Sequence, residues 1–478
     1  MMRLILCLLF SLTFWYVIQF RSDTTLSRKD SQGPRYQPYI AGYLLPLFLA
    51  LILPIGYLFV GAEHTGRMML SMCFSVFLHI CLYYALLIPL ISFLRQRISS
   101  RACAVLWLIP TYLYITQYGW AALPAPLFII TTPGKLVWVL LGIWFAGFIG
   151  VLIWNIGVHL HLRKQILDAA RIHPSLEARQ QWKLSLAQYG FRNADIPLMA
   201  SPLVSTPMTI GLIQSSTVVV LPERAYSPDE LALIFHHEIV HIERQDSWGK
   251  FFLIFCTAMC WFNPLMWIAM RKSADDMELS CDEAVLQYTD DETKKRYADL
   301  ILTTAGDHRG FTTCLSASAE ALRYRLKNIV MPEEKSNGAV AVALAFFLLS
   351  MTSGFVALAY DGTTGAEVLF QSDIHSGYTL EVLSSSEPGS GTFQITDEAQ
   401  LGQYLSEFPM YRLTGQYSFC TRSREMMLQL DMPQRVYWLF LYDDIIELYP
   451  LHGSNPRPEY YYIPDGIDWN YLDSLITS

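Results

Sequence analysis

A series of apolar runs, each about as long as a bilayer is thick, constrains this chain before any motif is read. They lie at residues 2–20 and near 39–61, 69–94, 102–120, 135–158 and 339–359. About 20 apolar residues in a helix cross the hydrocarbon core, so each run is a candidate span. The run at 102–120 is the most interrupted, by Pro110, Gln117 and several tyrosines. No small-residue cleavage site follows the first run, which therefore reads as a span and not as a signal peptide. With 53% hydrophobic and 16% charged residues, the chain is too apolar for an ordinary soluble protein of its length. A net charge of −8 gives no footing for direct nucleic-acid binding. Most of the cysteines sit in apolar runs and none forms a CxxC pair, so they read as small hydrophobes.

The loops between the runs set an orientation. Arg21, Arg28, Lys29 and Arg35 follow the first span, and only Arg67 follows the second. Next come Arg95, Arg97 and Arg101, then a stretch without basic residues from Ala121 to Pro133, then Arg163 and Lys164. Basic loops alternating with neutral ones are the positive-inside pattern. It places the N-terminus outside, residues 159–338 in the cytoplasm and residues 360–478 outside. The expected fold is a polytopic α-helical membrane protein with an inserted cytoplasmic α+β domain and a C-terminal extracellular α+β domain. Residues 1–158 would form a membrane domain of about five helices, and 339–359 the last span.

Within 159–338 stands Phe235-His236-His237-Glu238-Ile239-Val240-His241. Ser227-Pro228 supplies a cap and a first helical residue, so the motif falls inside a helix. There His237 and His241 project from one face, one turn apart, and could hold one metal ion. Glu238 could take a proton from a water on the open side of that ion. His236 points about 100° away from His237. A catalytic zinc takes a third protein ligand. The metzincin form is excluded, because Arg244 stands where it needs Gly and Ser247 where it needs His. A later glutamate is the other solution: Glu278 and Asp282 share a helix face, so Glu278 could bind metal while Asp282 reaches back to a histidine. Phe251 to Met270 is almost wholly apolar, but as a span it would carry Glu278 across the membrane from His237 and His241. It reads instead as a buried or membrane-dipping hairpin at 250–270, broken at Asn263-Pro264, with Asp275 to Tyr297 as the returning helix. Glu283 reads as a solvated neighbour, and His159 and His161 as interfacial residues at a membrane end. A substrate strand could pair with an edge at Val218, Val219, Val220 and Leu221.

His237-Glu238-Ile239-Val240-His241, Arg244 with Asp246, Trp261-Phe262-Asn263-Pro264 and Glu278-Leu279-Ser280-Cys281-Asp282-Glu283 follow in order. Together with Ser205 to Gly211 and Val218 to Pro222, they resemble the membrane zinc peptidases of the BlaR/MecR antirepressor type, over residues 160 to 335. The resemblance implies Zn²⁺ held by His237, His241 and Glu278, with Glu238 as general base. Asp246 and Asp282 then read either as outer supports of the histidines or as a helix cap and a salt bridge. It implies a protein substrate: a transcriptional repressor, the chain's own linker at 303–338 with Arg309, Arg323, Arg325 and Lys327, or both. Further partners would be the bilayer, an unidentified extracellular ligand and a second copy of the chain. The outer region departs from the family's pattern. It contains no lysine after residue 360, so a penicillin-binding Ser-x-x-Lys nucleophile is not available. Strands are expected at 379–383 and 436–441, a helix at 397–408, and an unpaired Cys420. Two rival readings remain: a constitutive membrane protease for quality control or peptide maturation, and a catalytically silent receptor whose histidines are structural.

Overall fold

The structure is a computed structural model. It describes residues 2–27, 41–116, 123–124, 126–133, 135–191, 196–287, 289–305, 319–331, 333–370, 377–385, 394–413, 417–418, 425–433, 435–451 and 458–477. Arg28, Lys29, Arg35, Arg309, Cys314 and Cys420 lie outside the described residues.

The chain opens with α1 (Met2–Ser27), α2 (Leu44–Val60) and α3 (Ala62–Leu94). Leu8, Leu12, Leu53, Leu58, Phe59, Leu86 and Leu90 face outward from them; helices apolar on their outer surface are stable where that surface meets other apolar matter. The expected span at 102–120 is not a continuous helix. It folds as α4 (Ser100–Leu106), a 3₁₀ turn (Ile109–Tyr112) and α5 (Leu113–Thr116), because Pro110 lacks the donor an α-helix needs. Trp107 at its centre is fully buried, and its indole N–H donates to Asp276 at 2.6 Å. Two short strands follow, β1 (Leu123–Pro124) and β2 (Phe128–Thr131), then α6 (Leu136–Ala169). Among the described residues, two helical stretches are long and apolar enough to cross a membrane, Thr65–Leu94 and Leu136–Ala169.

Next come β3 (Arg171–Ile172), α7 (Leu176–Gln188), β4 (Leu198–Ser201), β5 (Met208–Ile210), β6 (Val218–Pro222) and α8 (Pro228–Arg244). They are followed by α9 (Asp246–Met259), α10 (Pro264–Leu286), α11 (Asp291–Ala305), α12 (Ala319–Val330) and α13 (Ala339–Thr352). The last part comprises β7 (Val356–Thr364), α14 (Gly365–Val368), β8 (Thr379–Ser385), β9 (Gln394–Ile395), α15 (Glu398–Glu407), β10 (Pro409–Leu413) and β11 (Tyr417–Ser418). It closes with β12 (Met426–Met432), β13 (Arg435–Leu441), β14 (Ile445–Pro450), β15 (Glu459–Tyr462), α16 (Trp469–Ser474) and β16 (Ile476–Thr477).

These elements form two compact units. The first comprises Met1–Leu51, Phe77–Thr116 and Ala146–Met351. Its sheet runs β3-β4-β6-β5, with β6 parallel to β4 and antiparallel to β5. Val218, Val219, Val220 and Leu221 therefore lie on an inner strand with neighbours on both sides, not on an edge. The edge beside them is β5, where Thr209 pairs with Val219. An unbroken β-branched run buried on both faces is what an inner strand requires. Trp182, Val219, Leu221, Phe235 and Ile239 form the core between this sheet, α7 and α8. The hydrophobic segment after α8 folds back at Asn263, whose side chain caps α10 by accepting from the Leu265 N–H at 3.0 Å, with Pro264 at the first helical position. The returning helix starts at Pro264, earlier than expected from Asp275, and stops at Leu286. Tyr297 belongs to the separate α11. Asp276 on α10 is fully buried, and its carboxylate accepts from Arg95 Nε at 2.7 Å. Glu283, expected to be merely solvated, accepts the Ser100 backbone N–H at the start of α4 at 2.7 Å.

The second unit comprises Ile52–Val76, Gln117–Phe145 and Thr352–Ser478. Its eight-stranded sheet has the order β2-β7-β10-β15-β14-β13-β12-β8. All neighbours are antiparallel except β2 and β7, which are parallel. Leu380, Leu401, Leu405, Leu428, Leu439, Ile446 and Leu472 pack the core between one sheet face and α15 and α16. Two expectations change here. The last apolar helix is α13, whose 14 residues reach about 21 Å, and Gly354 at φ +87° turns the chain out of it into β7. The sheet thus begins at Val356, before the expected boundary at 360, and takes β2 from a stretch assigned to the membrane domain.

Candidate metal centre

The helix bearing the histidines is fixed at both ends. Ser227 Oγ accepts from the Glu230 N–H at 3.2 Å, while the Glu230 carboxylate accepts from the Ser227 N–H at 2.7 Å, a reciprocal capping box. At the other end Gln245 adopts φ 53° and lets α9 start at once. His237 and His241 face the same way from consecutive turns, with their Nε2 atoms 3.1 Å apart. From α10, Glu278 approaches both: Oε2 lies 3.4 Å from His237 Nε2 and Oε1 3.6 Å from His241 Nε2.

The outward-turned Nδ1 atoms are both engaged. His241 Nδ1 lies 2.7 Å from Asp246 Oδ2. Burial raises the Asp246 carboxyl, but Arg244 and His241 beside it outweigh that and hold it below the usual range. His237 Nδ1 meets the Tyr297 hydroxyl at 2.8 Å, and that hydroxyl donates to Asp282 Oδ1 at 2.7 Å. Asp282 itself stays 3.6 Å from His237 Nδ1, so it reaches this histidine through Tyr297 and not directly. With each Nδ1–H donating outward, both Nε2 lone pairs point at one spot together with a carboxylate. Three acceptors converging on one spot fit a cation. The distances 3.1, 3.4 and 3.6 Å also bracket the ~3.3 Å edge of a tetrahedron with ~2.05 Å bonds.

Glu238 is 4% exposed, and the Thr209 hydroxyl of the edge strand β5 donates to its Oε2 at 2.7 Å. Cys281 on α10 lies 3.3 Å from His241 Nδ1 and 3.7 Å from Asp246 Oδ2. Arg325 on α12 grips Asp282 with two hydrogen bonds, Nε to Oδ2 at 2.7 Å and Nη2 to Oδ1 at 2.8 Å. His236 turns away and packs its ring 5.2 Å from Tyr189; burial and the neighbouring His237 push it down to about 4. His159 and His161 are exposed on α6.

The fold thus gathers His237, Glu238, His241, Glu278, Asp246 and Asp282 in one place. Val218 to Leu221 stay inside the sheet. Thr209, Tyr297 and Arg325 had no assigned role from the sequence. Thr209 lay in a motif already noted and Tyr297 at the end of the expected helix, whereas Arg325 sat in a stretch read as linker.

Residues 124–329 match the BlaR1 peptidase M56 family. Over 128 residues the chain is 31% identical to the regulatory protein BlaR1 of Bacillus licheniformis, covering 27% of this chain and 21% of the relative. Over 163 residues it is 28% identical to the methicillin resistance mecR1 protein of Staphylococcus aureus, covering 32% of this chain and 27% of the relative. The chain thus spans about a quarter or less of these curated relatives. M56 is a metal-dependent peptidase family. Within the matched segment, the atoms of His237, His241 and Glu278 lie within 4.8 Å of one another and form a set that could hold an ion.

Proposed function

We propose that this chain is a membrane-embedded zinc metalloendopeptidase that acts as a sensor-transducer in a bacterial cell membrane. His237, His241 and Glu278 would hold the zinc. The convergence of their three acceptor atoms, with each Nδ1 already fixed, carries this reading. Zinc there would polarise the scissile carbonyl and acidify a water molecule. Glu238, one oxygen held by Thr209, takes the proton of the attacking water with its other oxygen and returns it to the leaving amine. A substrate segment would add as a strand at β5, the open edge next to Glu238.

The topology supporting this reading follows the loop charges. Arg95, Arg101 and Arg163 belong to the unit that carries the histidines, while Arg67, the stretch around 128–131 and the C-terminal sheet belong to the other. On this reading the peptidase segment is cytoplasmic and the C-terminal domain lies outside as the sensor, as the alternation of basic and neutral loops implies. The substrate on this reading is a cytoplasmic repressor, the chain's own linker, or both, in keeping with a relative described as a regulatory protein. Proteomics of new peptide termini in cells carrying wild type or Glu238→Gln tests it. One peptide bond should be cut only by the wild type, while both proteins hold zinc. Unchanged cleavage by Glu238→Gln removes the mechanism.

A further inference from the structure

We propose that Arg325 is a positioning residue of this centre, so that zinc binding depends on α12 being docked against α10. The inference rests on the metal-centre reading above and adds to it a condition set by another helix.

Glu278 and Asp282 stand one turn apart on the same face of α10, and both could offer oxygens to a cation. The structure separates their roles. Both oxygens of Asp282 are taken, by the two Arg325 donors and by the Tyr297 hydroxyl. Held in that fork, a carboxylate cannot rotate toward the histidines; it keeps only the orientation that polarises Tyr297 against His237. Glu278 is the carboxylate that faces both histidines, with Arg325 Nη1 3.6 Å from its Oε2 and Lys250 Nζ 4.0 Å from its Oε1. Asp282 is 3% exposed, and a buried carboxylate without a counter-charge is strongly disfavoured. Arg325 thus supplies a counter-charge beside Asp282 and the geometry that stops it from becoming a ligand.

The other histidine is backed in the same way: His241 meets Asp246, and Asp246 meets Arg244 Nε at 3.3 Å. Arg244, however, is on the same helix as the histidines, whereas Arg325 arrives from a helix far along the chain. That helix is anchored by Ile329, one turn beyond Arg325, buried with Val285, Leu286, Tyr297 and Ala298. Its far side is held where the Tyr324 hydroxyl donates to the Arg95 carbonyl at 3.2 Å. Since α12 is the last helix before α13, a shift of α12 reaches the metal ligands through the Arg325 guanidinium and through Tyr297, on which Ile329 packs.

The test titrates zinc into the full-length, detergent-solubilised chain against a competing chromophoric chelator, beside a thermal melt of the metal-free protein. Arg325→Ala should bind zinc about 10- to 100-fold more weakly, the usual cost of losing a group that orients a ligand. Arg325→Lys should fall between, because it keeps the charge and loses the fork. Added guanidinium ion should restore zinc affinity to Arg325→Ala but not to Glu278→Ala. If Arg325→Ala does not fold, the Lys variant decides. Variants that bind zinc as tightly as wild type overturn the assignment, and so does a loss that guanidinium does not repair. A wild-type chain that takes up no zinc overturns the metal-centre reading itself, and this inference with it.

Discussion

Thr209→Val tests whether the edge strand orients the general base. Valine has nearly the volume and the β-branching of threonine, so β5 keeps its pairing with Val219 and only the hydroxyl goes. Glu238 Oε2 accepts that hydroxyl at 2.7 Å in surroundings that leave the residue 4% exposed, so water cannot readily replace it. A hydrogen bond to a charged group contributes about 1.5–3 kcal/mol. Should that difference appear in the transition state, kcat/KM falls about 10- to 150-fold. The loss should sit in kcat, because Glu238 acts on the proton and not on substrate binding. The assay follows cleavage of a peptide spanning the bond that depends on Glu238, with bound zinc measured in parallel. Thr209→Ser should recover most of the rate. Cleavage by Thr209→Val at the wild-type rate, or a loss explained entirely by missing zinc, would refute the role given to Thr209.

Asp276→Asn should cost about 3–5 kcal/mol, since Arg95 would be left without the buried carboxylate it now contacts; a lowered melting temperature in detergent checks it. Stripping zinc with a chelator should lower the melting temperature reversibly, by an amount equivalent to about 2.7 kcal/mol at a metal concentration a hundredfold above Kd, and Glu278→Ala should show no such shift. In the second unit, burial raises the Glu459 carboxyl, but Arg412 and Arg67 outweigh it and bring it down to about 2. A carboxylate depressed in the folded state stabilises above its unfolded value, and that stabilisation is lost as the pH falls from about 4.3 toward the folded one. Melting followed over that acid range should steepen for wild type and flatten for Glu459→Gln. An identical slope in the two proteins counts against the ion pair.

His237, Glu238 and His241 were legible because contiguous residues on one helix need no tertiary knowledge. Glu278 was legible by a geometric demand: the apolar stretch after α8 had to fold back, and Asn263-Pro264 offered the only strong breaker in it. Tyr297 and Arg325 were not, because ordinary residue types on α11 and α12 acquire meaning only when those helices dock. The reading of Val218 to Leu221 as an edge erred because an apolar β-branched run does not announce how many neighbours its strand has; Thr209 and its strand hold that place. The stretch at 102–120 was read as the most interrupted of the apolar runs; its helix does break at Pro110, but the buried contact of Trp107 with Asp276 depends on a helix far along the chain and has no local signal. Phe128–Thr131 fell within the loop read only for its lack of basic residues, and nothing local told that Val356–Ala359, far along the chain, would lie beside it.

That last pairing bears on what would follow if the chain cut its own linker between α11 and α12. Phe128–Thr131 and Val356–Ala359 run side by side in one sheet, and Arg67 reaches Glu459 within the same unit, yet such a cut leaves the members of each pair on different fragments. The severed polypeptide would therefore stay a single particle through extraction and chromatography, and its two pieces would part only when that sheet is unfolded.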